Sequence, residues 1–397
     1  MEKDVIVIGA GMGGLATALR LQHQGFNVTI VEKLPRPGGR SNVIEEEGFR
    51  VDTGPTILVM KDTFEETYRA IGQDLNARLD FVSLDPNYRI YFHDGTYLDL
   101  YNGMAQLSAE VERIEPGAKE RLFRFLGASA MKYELAMEFV ERNYDHITDL
   151  ANPVAGWRLF RTRAYQKLYA QVAKFFRTDK LRKAFSFHSM FLGLSPFDAL
   201  ALYRLITYAD IVEGMHYPRG GIYAVVEDMV ALFEEMGGTL YTDTPVTEIL
   251  VENGKAVGVR LGRRPSANKG GRSSANGEGK PSANKGAGAA GEVLRADLVI
   301  SNADLPYTYT QLIAPEHRRH YSDQRLARMQ YACSGYLLYL GVDKLYPQMR
   351  HQGLYFADDY RANLDAIFRT YTLPDEISFH LNNPTVTDPT LAPPGHS

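Results

Sequence analysis

Val5-Ile6-Val7-Ile8-Gly9-Ala10-Gly11-Met12-Gly13-Gly14 is a β-branched run that breaks directly into a glycine cluster. Four such residues in succession predict a strand buried on both faces. Leu15, Ala16, Ala18, Leu19 and Leu21 then recur at helical spacing as far as Gly25, a C-terminal stop. A second strand, Val28-Thr29-Ile30-Val31, ends at Glu32, 23 residues beyond Gly9. Strand, glycine turn, helix, strand and acid stand in the order of a dinucleotide-binding unit, and each has a physical task. Gly9 permits the tight turn, Gly11 lets backbone approach a pyrophosphate, and Gly14 lets the helix pack on the strand. The helix N-terminus adds unpaired N–H groups and positive potential. Glu32 is placed to accept from the adenosine ribose, with Lys33 beside it. Ile8, Ala10, Met12 and Gly13 complete the cradle. A bare GxGxxG is a weak signal; in register with both strands, the helix and the acid it is a strong one.

Working outward, Arg36-Pro37-Gly38-Gly39-Arg40 follows the acid where a nicotinamide enzyme would continue into its next helix, and Asp52-Thr53-Gly54-Pro55-Thr56 comes soon after. With these segments the chain resembles the superfamily of flavin amine oxidases and carotenoid desaturases. The resemblance implies FAD as cofactor, with the Gly38-Gly39-Arg40 turn lying along it and Gly54, Pro55 and Thr56 close by. It puts Arg40 near the phosphates or ribityl chain, and a guanidinium beside a pyrophosphate is sound on charge grounds. The plain alternative for Arg40 is a solvated turn residue.

Further on, Tyr217-Pro218-Arg219-Gly220-Gly221 precedes a helical pattern through Val225, Val226, Met229, Leu232 and Phe233. A hairpin is expected over 246–261 around Asn253-Gly254, followed by a strand at 296–300. Leu181 to Ser189, Tyr217 to Gly221, Ser301-Asn302-Ala303-Asp304 and Thr387 to Pro393 are together similar to the bacterial phytoene desaturase group. That resemblance implies a nucleotide domain discontinuous in sequence, with backbone near Val246 touching the adenine. The expected fold is α/β: a Rossmann-like FAD-binding domain at 1–90 and 215–310, a helical substrate and membrane-associating region at 91–214, and a substrate domain with a second, mixed sheet reaching 311–397. It also implies a later glycine- and proline-rich flavin contact that has no counterpart after Asn302, so the isoalloxazine half of the site is expected to be incomplete.

The implied reaction takes a hydride and a proton from a hydrophobic C40 isoprenoid, phytoene towards lycopene. No side chain accepts hydride, so the flavin must. A carboxylate desolvated in an apolar tunnel would act as base. Asp149 is the candidate, with a helix cap as its alternative; Asp210 and Glu213 are weaker ones. His317 and His320, beside Glu316, have helical spacing but no third ligand, and no metal is expected. Neighbouring readings are a carotenoid isomerase, ketolase or later desaturase, or a nucleotide- or lipid-binding fragment without turnover.

Composition sets outer bounds. A net charge of −4 argues against nucleic acid as the partner. Cys333 is the only cysteine, which excludes an intrachain disulfide and suits a reducing, cytoplasmic setting. The stretch Trp157 to Lys183 carries nine Lys or Arg against Asp179 alone. Trp157, Phe160, Ala164 and Leu168 share one helical face, as do Leu168, Val172, Phe175 and Phe176. A basic amphipathic helix with aromatic residues suggests peripheral association with a membrane surface; a solvated basic face on a core helix is the alternative. Residues 265–288 are three copies of an octapeptide, PSANKGGR, SSANGEGK and PSANKGAG. Without large apolar residues they are expected to be disordered, a tolerated insertion at a hairpin tip.

Overall fold

A computed structural model of the protein describes residues 3–140, 153–262 and 291–397. Asp149 and the octapeptide block lie outside the described residues.

Strand β1 (Asp4–Ile8) leads through the glycine turn into helix α1 (Met12–His23) and strand β2 (Asn27–Val31). The other strands are β3 (Val43–Glu46), β4 (Phe49–Asp52), β5 (Phe81–Leu84), β6 (Tyr88–Tyr91), β7 (Tyr97–Leu100) and β8 (Met215–Pro218). After them come β9 (Thr239–Tyr241), β10 (Val246–Glu252), β11 (Lys255–Leu261), β12 (Val293–Arg295), β13 (Leu298–Ser301), β14 (Gln352–Tyr355) and β15 (Phe379–Asn382). One sheet runs β13-β1-β2-β9 and is parallel throughout, so its strands are drawn from both ends of a 298-residue span. Strand β1 is buried on both faces as expected: Val5 and Val7 enter one core with α1 and the Tyr223–Glu235 helix, while Ile6 and Ile8 enter another with β10 and β11. The Asn-Gly hairpin forms as β10–β11, and β12 adds a third antiparallel strand.

A second sheet, β15-β14-β6-β7, is mixed: β14 runs parallel to β6 and the other pairs are antiparallel. It backs onto the largest core, which joins β6 and β7 to the Lys119–Val140 helix and the helical segments between 168 and 187.

The single basic helix expected over 157–183 is corrected. The chain forms three short helices, Pro153–Arg161, Leu168–Val172 and Asp179–Ala184, with Arg163 at φ 53° between the first two. A long-range contact breaks the periodicity: Lys167 bridges to Leu200, and the Leu168 N–H donates to the Ala199 carbonyl. Leu168, Val172 and Phe176 are consequently sealed in the core, whereas Trp157 and Phe160 remain 61% exposed. The helix suggested by His317 and His320 shrinks to one exposed turn, Pro315–His317.

Candidate functional site

The glycine turn, the Gly38-Gly39-Arg40 turn and the Asp52–Thr56 segment stack on one another. Gly9 donates its N–H to the Val31 carbonyl (2.8 Å), tying the turn to the end of β2. Gly38 donates to the Ala10 carbonyl (2.8 Å), and Gly39 lies so near the first turn that a Cβ on it would meet the Gly11 Cα at 3.2 Å. Two glycines are required by close approach. A Cβ on Gly14 would sit 2.1 Å from the Gly9 carbonyl oxygen, and one on Gly54 would sit 1.9 Å from the Arg40 carbonyl oxygen. The second clash shows how the Thr53–Thr56 segment is seated against the arginine turn.

Helix α1 begins at Gly11 with no side-chain cap and no acid in its first turn. Its first intrahelical bond is Leu15 N–H to the Gly11 carbonyl, so Met12, Gly13 and Gly14 have no N–H acceptor among the described residues. Gly13 is exposed and Asn302, at the end of β13, lies over Gly11, Gly13 and Gly14. An uncapped, acid-free helix start with open N–H groups fits the pyrophosphate of a dinucleotide.

Glu32 is almost wholly buried, and both its oxygens are engaged by backbone: the Ala10 N–H donates to Oε2 (2.7 Å) and the Leu34 N–H to Oε1 (2.8 Å). An ionised carboxylate has about four acceptor positions, so roughly one remains on each oxygen for ribose hydroxyls. Glu32 thus also fixes the glycine turn, a task beyond the ribose contact expected of it. Thr244 donates to the Glu32 carbonyl (2.8 Å) and places Val246, two residues on, in the core beside Ile8 and Val31. Lys33 is exposed, its ammonium 4.8 Å from the Tyr307 ring centre. Arg40 is open to solvent and reaches both carboxylate oxygens of Asp304 (2.9 Å each), joining the arginine turn to the Ser301–Asp304 segment.

A further convergence joins residues of quoted motifs whose partnership no local pattern marks. Asp52 accepts from the Ile222 and Tyr223 N–H groups (2.7 and 3.0 Å) and so caps the Tyr223–Glu235 helix, while Asp388 accepts from the Gly220 N–H (2.7 Å). Arg50 donates to the Gly220 carbonyl (2.8 Å) and pairs with Glu45 and Glu227. Three motif segments, around 52, 217–221 and 387–393, meet at this point. Their partners lie some 170 residues apart in sequence, and proximity at that range leaves no periodic signal.

Burial pushes the Asp52 carboxyl up to about 6, against the pull of the two N–H groups and Arg50. A carboxyl raised in the folded state binds protons more tightly there than in the unfolded chain. Its contribution is therefore complete below the ordinary value of 3.8 and is lost as pH rises through about 6. We expect the stability advantage of the wild type over Asp52→Ala to shrink by on the order of 2–3 kcal/mol between those limits. Denaturant titrations of both proteins from pH 4 to 7 check this; an advantage that grows with pH would contradict it.

Of the weaker proton-acceptor candidates, Asp210 is wholly buried and bonded to His188 Nε2 (2.7 Å) and to Asn87, with burial pushing its carboxyl up against the pull of His188. It has no face open to a ligand and is corrected to a core polar contact. Glu213 is half-buried and held by Tyr133, its carboxyl also pushed up by burial.

The flavin containing amine oxidoreductase family matches residues 12–315. The chain is 38% identical over 394 residues to a zeta-carotene-forming phytoene desaturase of Myxococcus xanthus, covering 99% of this chain and 70% of that protein. It is 35% identical over 400 residues to a phytoene desaturase of Fusarium fujikuroi, covering 100% of this chain and 65% of the relative. A neurosporene-forming phytoene desaturase of Cereibacter sphaeroides is 32% identical, covering 98% and 70%. Among solved structures, an oxidoreductase from Methanosarcina mazei is similar in fold, with a TM-score of 0.60 at 19% identity over 99% of this chain and 77% of that one.

Proposed function

Because the chain belongs to the flavin-containing amine oxidoreductases and, among them, to the phytoene desaturases, we propose that it desaturates phytoene or a closely related C40 carotenoid precursor in carotenoid biosynthesis. The cofactor is FAD. The observation that carries the reading is the stacking of the glycine turn, the arginine turn and the Thr53–Thr56 segment around an uncapped helix start. When bound, FAD supplies the acceptor for the hydride leaving the polyene.

The chain's own residues hold and orient. Met12, Gly13 and Gly14 offer N–H groups to the pyrophosphate, with Ile8, Gly9, Ala10 and Gly11 shaping the turn. Glu32, flanked by Lys33, receives the adenosine ribose, and backbone near Val246 borders the adenine. Gly38, Gly39, Gly54, Pro55 and Thr56 form the wall along which the cofactor lies. Arg40 turns from Asp304 to the phosphates, exchanging a solvent-screened pair for a doubly charged partner. The departing proton goes to Asp149, on the sequence argument alone.

Purified protein supplied with FAD and phytoene-loaded vesicles is expected to yield a polyene absorbing at longer wavelength. Asp149→Asn should keep the flavin and lose turnover by about 100-fold. Retained flavin with phytoene returned unchanged would overturn the proposal.

Association with the membrane surface is part of the same proposal, because a C40 hydrocarbon resides in lipid. No helix among the described residues is long and apolar enough to cross a membrane. Trp157, Phe160 and Tyr165 instead form an exposed ladder, stacked at 5.9 and 6.1 Å, with Arg161 and Arg163 exposed beside it. Exposed aromatics with basic neighbours suit an anionic lipid interface. Replacing Trp157 and Phe160 by Ala should release the protein from anionic vesicles in a sedimentation assay while stability stays within about 0.5 kcal/mol; undiminished binding would remove the ladder from the interface.

A further inference from the structure

Gln352, the first residue of β14, is wholly buried, and a buried amide must find partners for both of its ends. It finds them in two separate parts of the fold. In the β14–β15 ladder Gln352 stands opposite Asn382 and Leu354 opposite His380. Gln352 and His380 are therefore diagonal neighbours on one face of the mixed sheet. On that face His380 Nε2 meets the Gln352 Oε1. At its other end Gln352 Nε2 donates to the Thr56 Oγ1 (3.4 Å), 296 residues earlier in the chain. One side chain thereby ties the second sheet to the segment that packs on the arginine turn.

The polarity of the link follows from the chemistry of its members. A glutamine carbonyl oxygen only accepts, and its NH2 only donates. His380 Nε2 must therefore carry the hydrogen, and Thr56 Oγ1 must be an acceptor. A hydroxyl that accepts on one side keeps its own hydrogen for another partner. Among the described residues nothing accepts the hydrogen of Thr56, which is only partly buried. Phosphate, ribityl and ring-carbonyl oxygens of a flavin dinucleotide all accept. A hydroxyl in the cofactor wall serves them when its hydrogen is already turned outward, because a fixed donor needs no reorganisation on binding.

We propose that Gln352 is a positioning residue for the cofactor: held by His380, it fixes the Thr56 hydroxyl as a donor towards FAD. Donors then run one way, from His380 to Gln352 to Thr56 to the cofactor, and join β15 to the cofactor wall. The proposal rests on the reading of Gly54, Pro55 and Thr56 as that wall.

Two measurements test it. The first needs no flavin: nitrogen NMR of the His380 imidazole in the flavin-free protein should show the neutral ring protonated at Nε2. Hydrogen on Nδ1 instead would turn the Gln352 amide round and give Thr56 an acceptor for its own hydrogen, which would overturn the proposal. The second is a double-mutant cycle, read as FAD affinity from the quenching of flavin fluorescence. Gln352→Met, similar in length and without polar ends, should weaken FAD binding about fivefold or more. In a Thr56→Val background the same change should cost less than about twofold, because the hydroxyl that Gln352 orients is gone. Gln352→Leu takes the place of the Met variant if that one does not fold. An equal loss in both backgrounds, or none in either, would sink the positioning role and leave the cofactor reading intact. Wild-type protein that takes up no FAD would remove both.

Discussion

Gly14→Ala is expected to abolish flavin retention, while Gly13→Ala, one residue earlier, leaves it measurable. The added methyl at 14 would lie 2.1 Å from the Gly9 carbonyl oxygen, with Asn302 side-chain atoms at 3.1 and 3.3 Å. Backbone blocks it on one side and β13 closes the other, so relief requires the start of α1 to move off β1. That movement carries away the open N–H groups of Met12, Gly13 and Gly14, and an anion site built from fixed dipoles loses its value when they are re-aimed. At Gly13 the nearest atom is the Asn302 side-chain oxygen at 2.8 Å, the free end of a side chain that can rotate. Purification of both variants with excess FAD, followed by visible absorption of the desalted protein, makes the comparison. Equal retention would show that close helix–strand packing at Gly14 does not set the cofactor seat.

Glu32→Ala should cost both stability and cofactor. The carboxylate satisfies the buried Ala10 N–H and the partly buried Leu34 N–H, and each hydrogen bond to a charged acceptor is worth about 1.5–3 kcal/mol. Removing the side chain leaves both donors unpaired at the hinge between the glycine turn and β2. A loss of about 3 kcal/mol or more is expected, lowering Tm by roughly 4 °C in a cooperative unit of this length. Glu32→Gln retains volume but has one acceptor oxygen for two donors and sets an amide NH2 against the other N–H, so it should fall between. If Glu32 served only the ribose, Glu32→Ala would weaken FAD binding with Tm unmoved; calorimetry without flavin separates the two roles.

The nucleotide-binding half was legible in sequence because its signals are local. The β-branched run, the glycine spacing, the helical stripe to Leu21 and the Asn-Gly hairpin each specify structure within a few residues. What could not be read depends on contacts between distant segments. The break at Arg163 follows from Lys167 bridging to Leu200, which overrides a helical periodicity running through Phe176. Asp52 looked like part of a loop motif, and its task as cap of a helix 170 residues later emerges only from the fold. The resemblance puts Arg40 near the phosphates or ribityl chain, but its pairing with Asp304 could not be foreseen across 264 residues. Glu32 shows a subtler limit: the spacing picks out the acid and says nothing of the two backbone donors that it holds.

In the proposed function, the turn between β1 and α1, closed by Glu32 and the arginine turn, seats the ADP half of FAD. Competition against protein-bound FAD, followed by flavin fluorescence, tests it most directly. ADP is expected to displace FAD, whereas FMN, which lacks the adenosine half, is not at equal concentration. Displacement by FMN with no effect of ADP would contradict it.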